Sequence, residues 1–300
     1  VFGDNDFVRE AISYTEEHFG DNPGENDFVW PTNHAEATKW LNDFVSNRLD
    51  DYETYENSIN ESASWMYRSA LSSSLNIGLL SPQQIIDTAL DYHAKNPIKL
   101  GSLEKFVRNL LGWREFTRGE YLTKTSILKS NNILGSKRRM TQEWYEGGIG
   151  LPPFDSMMKK IKQHGYTYHQ ERRAVAGNLM LLAEIDPKEI HQWFAGMFVD
   201  SYEWSTIPEV YGMSHFIDGM FAAEVNIFPS DYILDVSDYD HGDWCDTWDG
   251  LYWRFVEKHR DQLKNQTETK DLVTKFDKID SDKKRVISYR AEDFLNKYTK

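Results

Sequence analysis

Cysteine is almost missing from this 300-residue sequence, which contains Cys245 alone. One cysteine excludes an internal disulfide and any site built from several thiolates, and it favours a reducing compartment. Val1–Gly24 has no charged-then-apolar leader, and no apolar run approaches membrane-spanning length. The sequence therefore predicts a soluble, cytoplasmic protein without a membrane partner.

Positive charge is also scarce. The chain has 34 Lys and Arg against 48 Asp and Glu, which gives a net charge of −14. Phosphate contacts supply most non-specific affinity for nucleic acid, so an acidic chain can bind DNA only through a local basic patch. Three short runs are candidates, each of which is otherwise an ordinary solvated face: Lys137–Arg139, Lys159–Lys162 and Arg172–Arg173.

Nucleotide-binding glycine motifs are absent, since neither GxGxxG nor GxxxxGK[ST] occurs. Apolar residues repeat instead at helical spacing. Helix starts are predicted at Ser81–Pro82, Ser102 and Asp186–Pro187, and Tyr232–Leu234 is the best short strand. We therefore predict one all-α domain over residues 1–262, followed by a charged, loose helical extension over residues 263–300.

Four stretches resemble, in family order, the FAD-binding half of the photolyase/cryptochrome flavoproteins. They are Tyr67–Pro82, Gly112–Phe116, Trp144–Ala176 with its spaced glycines, and Asp200–Trp204 with Gly212–Ser214. The last stretch is most similar to the bacterial branch that carries an iron–sulfur cluster. The resemblance covers roughly Val1 to Leu263 and implies a helical FAD-binding domain, here expected to lack the family's N-terminal antenna domain.

The resemblance also implies how FAD is held. Ser69, Leu71 and Ser72 match the segment that binds the FAD phosphates, and hydroxyls at a helix start suit that task. Arg172 and Asp200 match an ion pair beside the isoalloxazine, where the Arg charge favours an anionic reduced flavin. The other expected cofactor contacts are Trp113, Arg114, His169 and Thr206, the last at the position that faces flavin N5 in relatives.

Light-driven flavin reduction needs a chain of oxidisable aromatic residues that leads to the surface. Trp193 and Trp144 match such a relay, whereas Phe194 replaces a tyrosine that would extend it. Core packing is the alternative role for both tryptophans.

Two departures from the family pattern bear on function. Ser156 and Asp240 stand where cluster cysteines are expected, and one thiolate cannot hold a cubane that needs four, so we predict no iron–sulfur cluster. His241, Asp243 and Cys245 resemble a metal site, but lack a fourth ligand, so no metal is predicted.

The lesion pocket departs as well. His169 matches one of two histidines of (6-4)-repairing relatives, but Tyr168 replaces its neighbour, Asn226 replaces a substrate tyrosine, and Leu110 replaces the glutamate of cyclobutane-dimer enzymes. His169 is then either a pocket residue or a structural histidine.

Three functions stay open. The first, which we favour, is a monomeric photolyase-type enzyme acting on UV-damaged, single-stranded DNA, with Tyr168 and His169 at the lesion and Lys159, Lys162 and Arg173 on the DNA. Single strands spare the cost of unpairing. The others are a cryptochrome-like light sensor, read by a protein partner, and a flavin-binding remnant that serves neither purpose.

Overall fold

The computed structural model describes residues 5–130, 132–214, 227–264 and 269–300. Helices dominate this part of the chain: α1 Asp6–Phe19, α2 His34–Asn47, α3 Ser72–Asn76, α4 Pro82–Lys95, α5 Leu100–Arg108, α6 Arg114–Ser130, α7 Glu143–Glu146, α8 Pro152–His164, α9 Asn178–Leu182, α10 Pro187–Met197, α11 Glu203–Ser214, α12 Ser230–Asp235, α13 Asp243–Lys258, α14 Arg260–Lys264, α15 Lys270–Asp277 and α16 Ser281–Tyr298. Within the described residues, strand pairing is limited to isolated bridges such as Ile59 with Ser237. The all-α prediction is confirmed.

Two predicted helix starts are confirmed. Ser81 forms a capping box with Gln84, and Pro82 opens α4. Asp186 accepts a hydrogen bond from the Lys188 backbone before Pro187 opens α10. Both starts pair a capping side chain with a proline whose fixed φ suits the first helical turn.

Two local predictions are wrong. Ser102 does not cap α5, which begins two residues earlier; its hydroxyl instead donates to the Asp50 carbonyl, 2.8 Å away, and ties two helical segments together. Tyr232–Leu234 lies inside α12 rather than in a strand; Phe228 stacks on Tyr232, and the described part of the chain has no strand for this segment to pair with.

Helices α15 and α16 are the last elements of the described chain, and α16 is part of the main core. Helix α16 packs along α13, and it buries Phe294, Leu295 and Tyr298 in the same core as Trp144 and Trp193. The Trp144 indole donates to the Tyr298 carbonyl at 2.7 Å. A few apolar residues at helical spacing are enough to dock an otherwise charged helix.

Two π-helical segments matter for the site. Asn109–Trp113 continues α5 into α6, and Glu171–Gly177 precedes α9. Such widened turns are rare and are found often at functional sites. Among the described helices, none is long and apolar enough to cross a bilayer.

Candidate functional site

Both π-helical segments line one open cavity of about 440 Å³. This volume lies within the range of small-molecule and cofactor sites. The remaining walls come from Tyr52–Asn57, Arg68–Asn76 and the start of α11. Of the cofactor residues predicted from the sequence, Ser69, Leu71, Ser72, Trp113, Arg114, His169, Arg172 and Asp200 all line this cavity.

The part of the cavity wall formed by Arg68–Asn76, which we call the serine-rich wall, is hydrogen-bonded to Asp200. The Ser72 hydroxyl donates to Asp200 Oδ2 at 2.5 Å, and the Asn76 amide nitrogen donates to the Asp200 carbonyl at 3.0 Å. Asn76 Oδ1 is buried without a hydrogen-bond partner in the part of the chain that the structure describes. A buried acceptor left open in a cavity wall fits a ligand that donates hydrogen bonds there.

Arg172 and Asp200 form the predicted ion pair. Arg172 Nη2 lies 3.0 Å from Asp200 Oδ1, and Arg172 Nε donates to the Thr167 carbonyl at 2.7 Å. Burial alone would lower the pKa of Arg172, but Asp200, Tyr166 and Glu209 outweigh it and raise that pKa. The guanidinium is therefore a fixed positive charge in the cavity wall, which suits a ligand that becomes negative.

A tryptophan pair flanks the opposite side. The Trp113 and Trp204 rings lie 5.9 Å apart, and the Arg114 guanidinium sits 4.9 Å from the Trp204 ring centre. Trp113 is 40% exposed, so a large aromatic face is open to an incoming ligand. Burial lowers the pKa of Arg114.

Thr206 does not line the cavity, contrary to the sequence prediction. Its hydroxyl lies 2.8 Å from that of Ser201, and the residue is buried. Ser205 and Glu209, one helical turn apart on α11, line the cavity instead. The turn of α11 rotates Thr206 towards the loop that contains Ser201.

His169 and Tyr168 point in different directions. His169 lines the cavity with its side chain exposed there, and desolvation by the surrounding walls, together with the nearby Arg173 and Arg172, lowers the pKa of its imidazole to about 4. Tyr168 is not among the lining residues; its hydroxyl accepts from the Asn60 backbone at 2.8 Å, and its ring is buried. The structure thus supports a pocket position for His169 and a packing position for Tyr168.

The basic run Lys159–Lys162, predicted to contact DNA, does not form one positively charged surface. Lys159 is exposed, but Lys160 is buried and forms an ion pair with Glu171. Lys162 is only partly exposed, and its ammonium lies 3.5 Å from the Glu146 carbonyl. Consecutive helical residues point in different directions, so a lysine run need not make a patch. Arg173 differs, because it lines the cavity with its guanidinium 5.0 Å from the Phe228 ring centre.

Trp193 and Trp144 are both completely buried. Trp193 donates to the Trp144 carbonyl at 3.0 Å, and the Phe154 ring lies between the two indoles. The predicted relay therefore ends beneath α16 rather than at the surface, because Phe294 and Tyr298 cover Trp144.

Of two further residues named from the sequence, the structure places only Cys245. Asn226 lies outside the described residues. Cys245 is buried near the start of α13, where burial raises the pKa of its thiol. Its geometry gives no reactive thiolate.

Sequence reasoning missed several lining residues. Arg68 follows the first residue of a recognised motif, Tyr166 follows a glycine in another, and Glu209 lies four residues after Ser205. Helical spacing alone would have paired Ser205 with Glu209. Nothing in the local pattern would have placed Tyr166 against Arg172.

Comparison with known proteins agrees with this geometry. Residues 103–225 match the family model described as the FAD binding domain of DNA photolyase. The chain is 27% identical to a (6-4) photolyase of Agrobacterium fabrum, over 99% of this chain and 61% of that protein. It therefore spans about three fifths of that relative.

Solved structures give the same fold. A class III photolyase of Agrobacterium tumefaciens superposes with a TM-score of 0.58 and 21% identity, covering 94% of this chain and 58% of that one. A cryptochrome of Synechocystis sp. PCC6803 superposes with a TM-score of 0.53 and 18% identity, covering 91% and 54%. At these identities the superpositions bear on the fold alone.

The cavity, the helical fold and the matched family model lead to one assignment. This chain contains the helical FAD-binding domain of the photolyase/cryptochrome family, and FAD is its cofactor.

Proposed function

We propose that this domain drives a blue-light reaction on UV-damaged DNA, with single strands as its preferred substrate. The observation that carries the proposal is the open cavity, whose lining contains both the exposed Trp113 and the Arg172–Asp200 ion pair. Bound FAD supplies light-driven electron transfer there. The chain's own residues hold the cofactor and present a stacking surface.

The charges of the cavity support a nucleic-acid substrate better than those of the whole chain. The cavity is lined by four arginines and by three carboxylate residues, as well as by His169. The arginines are Arg68, Arg114, Arg172 and Arg173. An acidic protein with a locally cationic cavity suits a short contact with a flipped or single-stranded base. A long duplex contact would instead meet the net charge of −14.

His169 is the proposed lesion contact. A pKa near 4 keeps the imidazole neutral at pH 7, so it has one donor and one acceptor nitrogen. It can then hydrogen-bond a base edge without adding a charge. Arg173, beside it in the cavity wall, is the proposed phosphate contact.

The test uses UV-irradiated oligothymidine, as single strand and as duplex, with protein, thiol reductant and blue light. Chromatographic loss of cyclobutane or (6-4) lesions, faster in single strands, is the expected result. His169→Ala should reduce repair more than DNA binding, whereas Arg173→Ala should weaken DNA binding most at low salt and make the binding less dependent on salt. Lys283→Glu, on the exposed face of α16, is the matched control. Intact lesions in both substrates with reduced FAD bound would reject the enzyme.

The second candidate is a light sensor. It is favoured by one observation, namely that α16 covers Trp144, so that a change in the aromatic core could loosen this helix. In that case no lesion disappears, and illumination increases protease cleavage between Gln262 and Lys300. Metal analysis of the same purified sample tests the predicted lack of an iron–sulfur cluster.

A further inference from the structure

Three tryptophans outside the predicted relay form a compact cluster, which we call the surface triad: Trp30, Trp40 and Trp65. Trp30 and Trp40 stack at 5.6 Å, and Trp65 meets them edge-on at 5.3 and 5.5 Å. Trp30 is 4% exposed, while Trp40 and Trp65 are half-buried. The triad therefore connects the protein interior with solvent.

The triad reaches the cavity through one ring. Tyr166 lines the cavity, and its ring centre lies 5.4 Å from those of both Trp30 and Trp65. On its other side the Arg172 guanidinium lies 5.0 Å from the same ring. Trp40 adds a second link, since its indole donates to the carbonyl of the cavity residue Ser69 at 3.0 Å. Aromatic contacts thus run unbroken from the cavity wall to half-exposed indoles.

Packing alone is the simpler explanation for an aromatic cluster. It accounts well for Trp30, which is buried and donates to the His164 carbonyl at 2.8 Å. Packing gives no reason, however, for the half-buried Trp40 and Trp65 to adjoin the cavity residues Ser69 and Tyr166, respectively.

We propose that electrons reach the cavity through the surface triad and Tyr166 rather than through Trp193 and Trp144. This inference rests on the proposed light-driven function. In each event one electron passes from Trp30 or Trp65, across Tyr166, to the light-excited flavin, and Trp40 refills the indole that lost it. A thiol in solution then returns one electron to Trp40, so the flavin is reduced by one electron and the thiol is oxidised by one.

The experiment compares two sets of Trp→Phe variants, in which each substitution keeps an aromatic ring but removes the oxidisable indole. The first carries Trp30→Phe with Trp65→Phe, which removes both indoles that contact Tyr166. The second carries Trp193→Phe. FAD content is measured first, and then the initial rate of blue-light photoreduction with dithiothreitol. We expect at least a tenfold slower rate in the double variant and less than a twofold change in Trp193→Phe.

A second readout does not depend on bound FAD. Close indoles couple excitonically, so the FAD-free wild-type protein should give a circular-dichroism couplet near the strong indole band. Trp40→Phe should remove the part of the couplet that comes from the stacked Trp30–Trp40 pair, and it should also slow photoreduction at least threefold. This single variant serves if the double variant does not fold.

The outcomes separate the two proposals. A wild-type protein that binds FAD but is not photoreduced overturns both the proposed function and the triad. A photoreduced wild type, with the double variant within twofold of its rate, overturns the triad alone. A missing couplet, with Trp40→Phe photoreducing at the wild-type rate, does the same.

Discussion

Arg172 stands between two groups of aromatic residues that have opposite surroundings. On one side its guanidinium lies 4.1 Å from the Phe198 ring, which leads to Trp193, Phe154 and Trp144. On the other side it lies 5.0 Å from Tyr166, which leads to the surface triad. The first group, which we call the inner column, is covered by α16, whereas the triad ends in half-buried indoles.

The difference teaches that tryptophans of one chain can have two roles. The buried indoles of the inner column stabilise the fold, whereas the triad, on our proposal, passes electrons between solvent and the cavity. In the inner column each indole nitrogen donates to a backbone carbonyl, and the rings are fully buried. Such tryptophans contribute large buried area with a satisfied polar atom. In the triad, part of that area is given up where the rings meet solvent.

The largest expected effect tests this contrast on stability. Trp144→Ala should lower the free energy of unfolding by about 3–5 kcal/mol, because it opens a large cavity and removes a buried hydrogen bond. Trp40→Ala should cost about 1–2 kcal/mol, since its ring is half-buried. Urea unfolding of both variants measures the difference. Equal losses would mean that the triad is as much a part of the core as the inner column.

The second largest effect is expected when the ion pair between Arg172 and Asp200 is broken, because Arg172 lies between the two aromatic groups. Asp200→Ala leaves the buried Arg172 charge without its carboxylate, and a loss of about 3 kcal/mol is expected. FAD affinity should fall as well, since the Ser72 hydroxyl in the cavity wall loses its carboxylate partner. Asp282→Ala, in an exposed pair on α16, is the control and should have almost no effect. A wild-type unfolding midpoint for Asp200→Ala would contradict the role of the pair.

The sequence predicts where helices begin better than it predicts the direction and the partners of individual side chains. Ser81–Pro82 and Asp186–Pro187 mark helix starts correctly, because capping is a local effect. Eight predicted cofactor residues line one cavity, because they lie in motifs recognised as units. Thr206, Tyr168 and Lys160 were misplaced or overlooked, because the direction of a side chain depends on the helix phase and on partners such as Ser201, Asn60 and Glu171. The division at residue 262 stays a prediction.

The serine-rich wall offers a smaller, binding-specific test. Ser69→Ala with Ser72→Ala should weaken FAD binding by about 1–2 kcal/mol through lost hydrogen bonds. Isothermal titration of the FAD-free protein measures it. Ser46 is an exposed residue of α2 whose hydroxyl donates to the Asn42 carbonyl, and Ser46→Ala should bind FAD like wild type. An unchanged affinity in the double variant would place the phosphates elsewhere in the cavity.

The smallest expected effect concerns Glu209, the carboxyl on the far side of Arg172. Burial, together with the repulsion of Asp200, raises the pKa of Glu209 to about 7, although the attraction of Arg172 and a hydrogen bond from Trp113 act to lower it. Between its unfolded pKa of 4.5 and about pH 7, the folded protein keeps a proton that the unfolded chain releases, so the free energy of unfolding falls as pH rises. Because the cavity is open to water, the expected loss is only about 1–2 kcal/mol.

Glu209→Gln removes the titration while keeping the shape and the hydrogen bond from Trp113. The variant should match wild type at pH 4.5 and exceed its stability by about 1–2 kcal/mol above pH 7, in urea unfolding of the FAD-free protein. Glu203→Gln lies on the same helix, but there the ion pair with Lys129 lowers the pKa of the carboxyl, so no gain with rising pH is expected. Parallel pH profiles for wild type and Glu209→Gln would mean that Glu209 is ionised in the cavity, and that Arg172 balances two carboxylates rather than one.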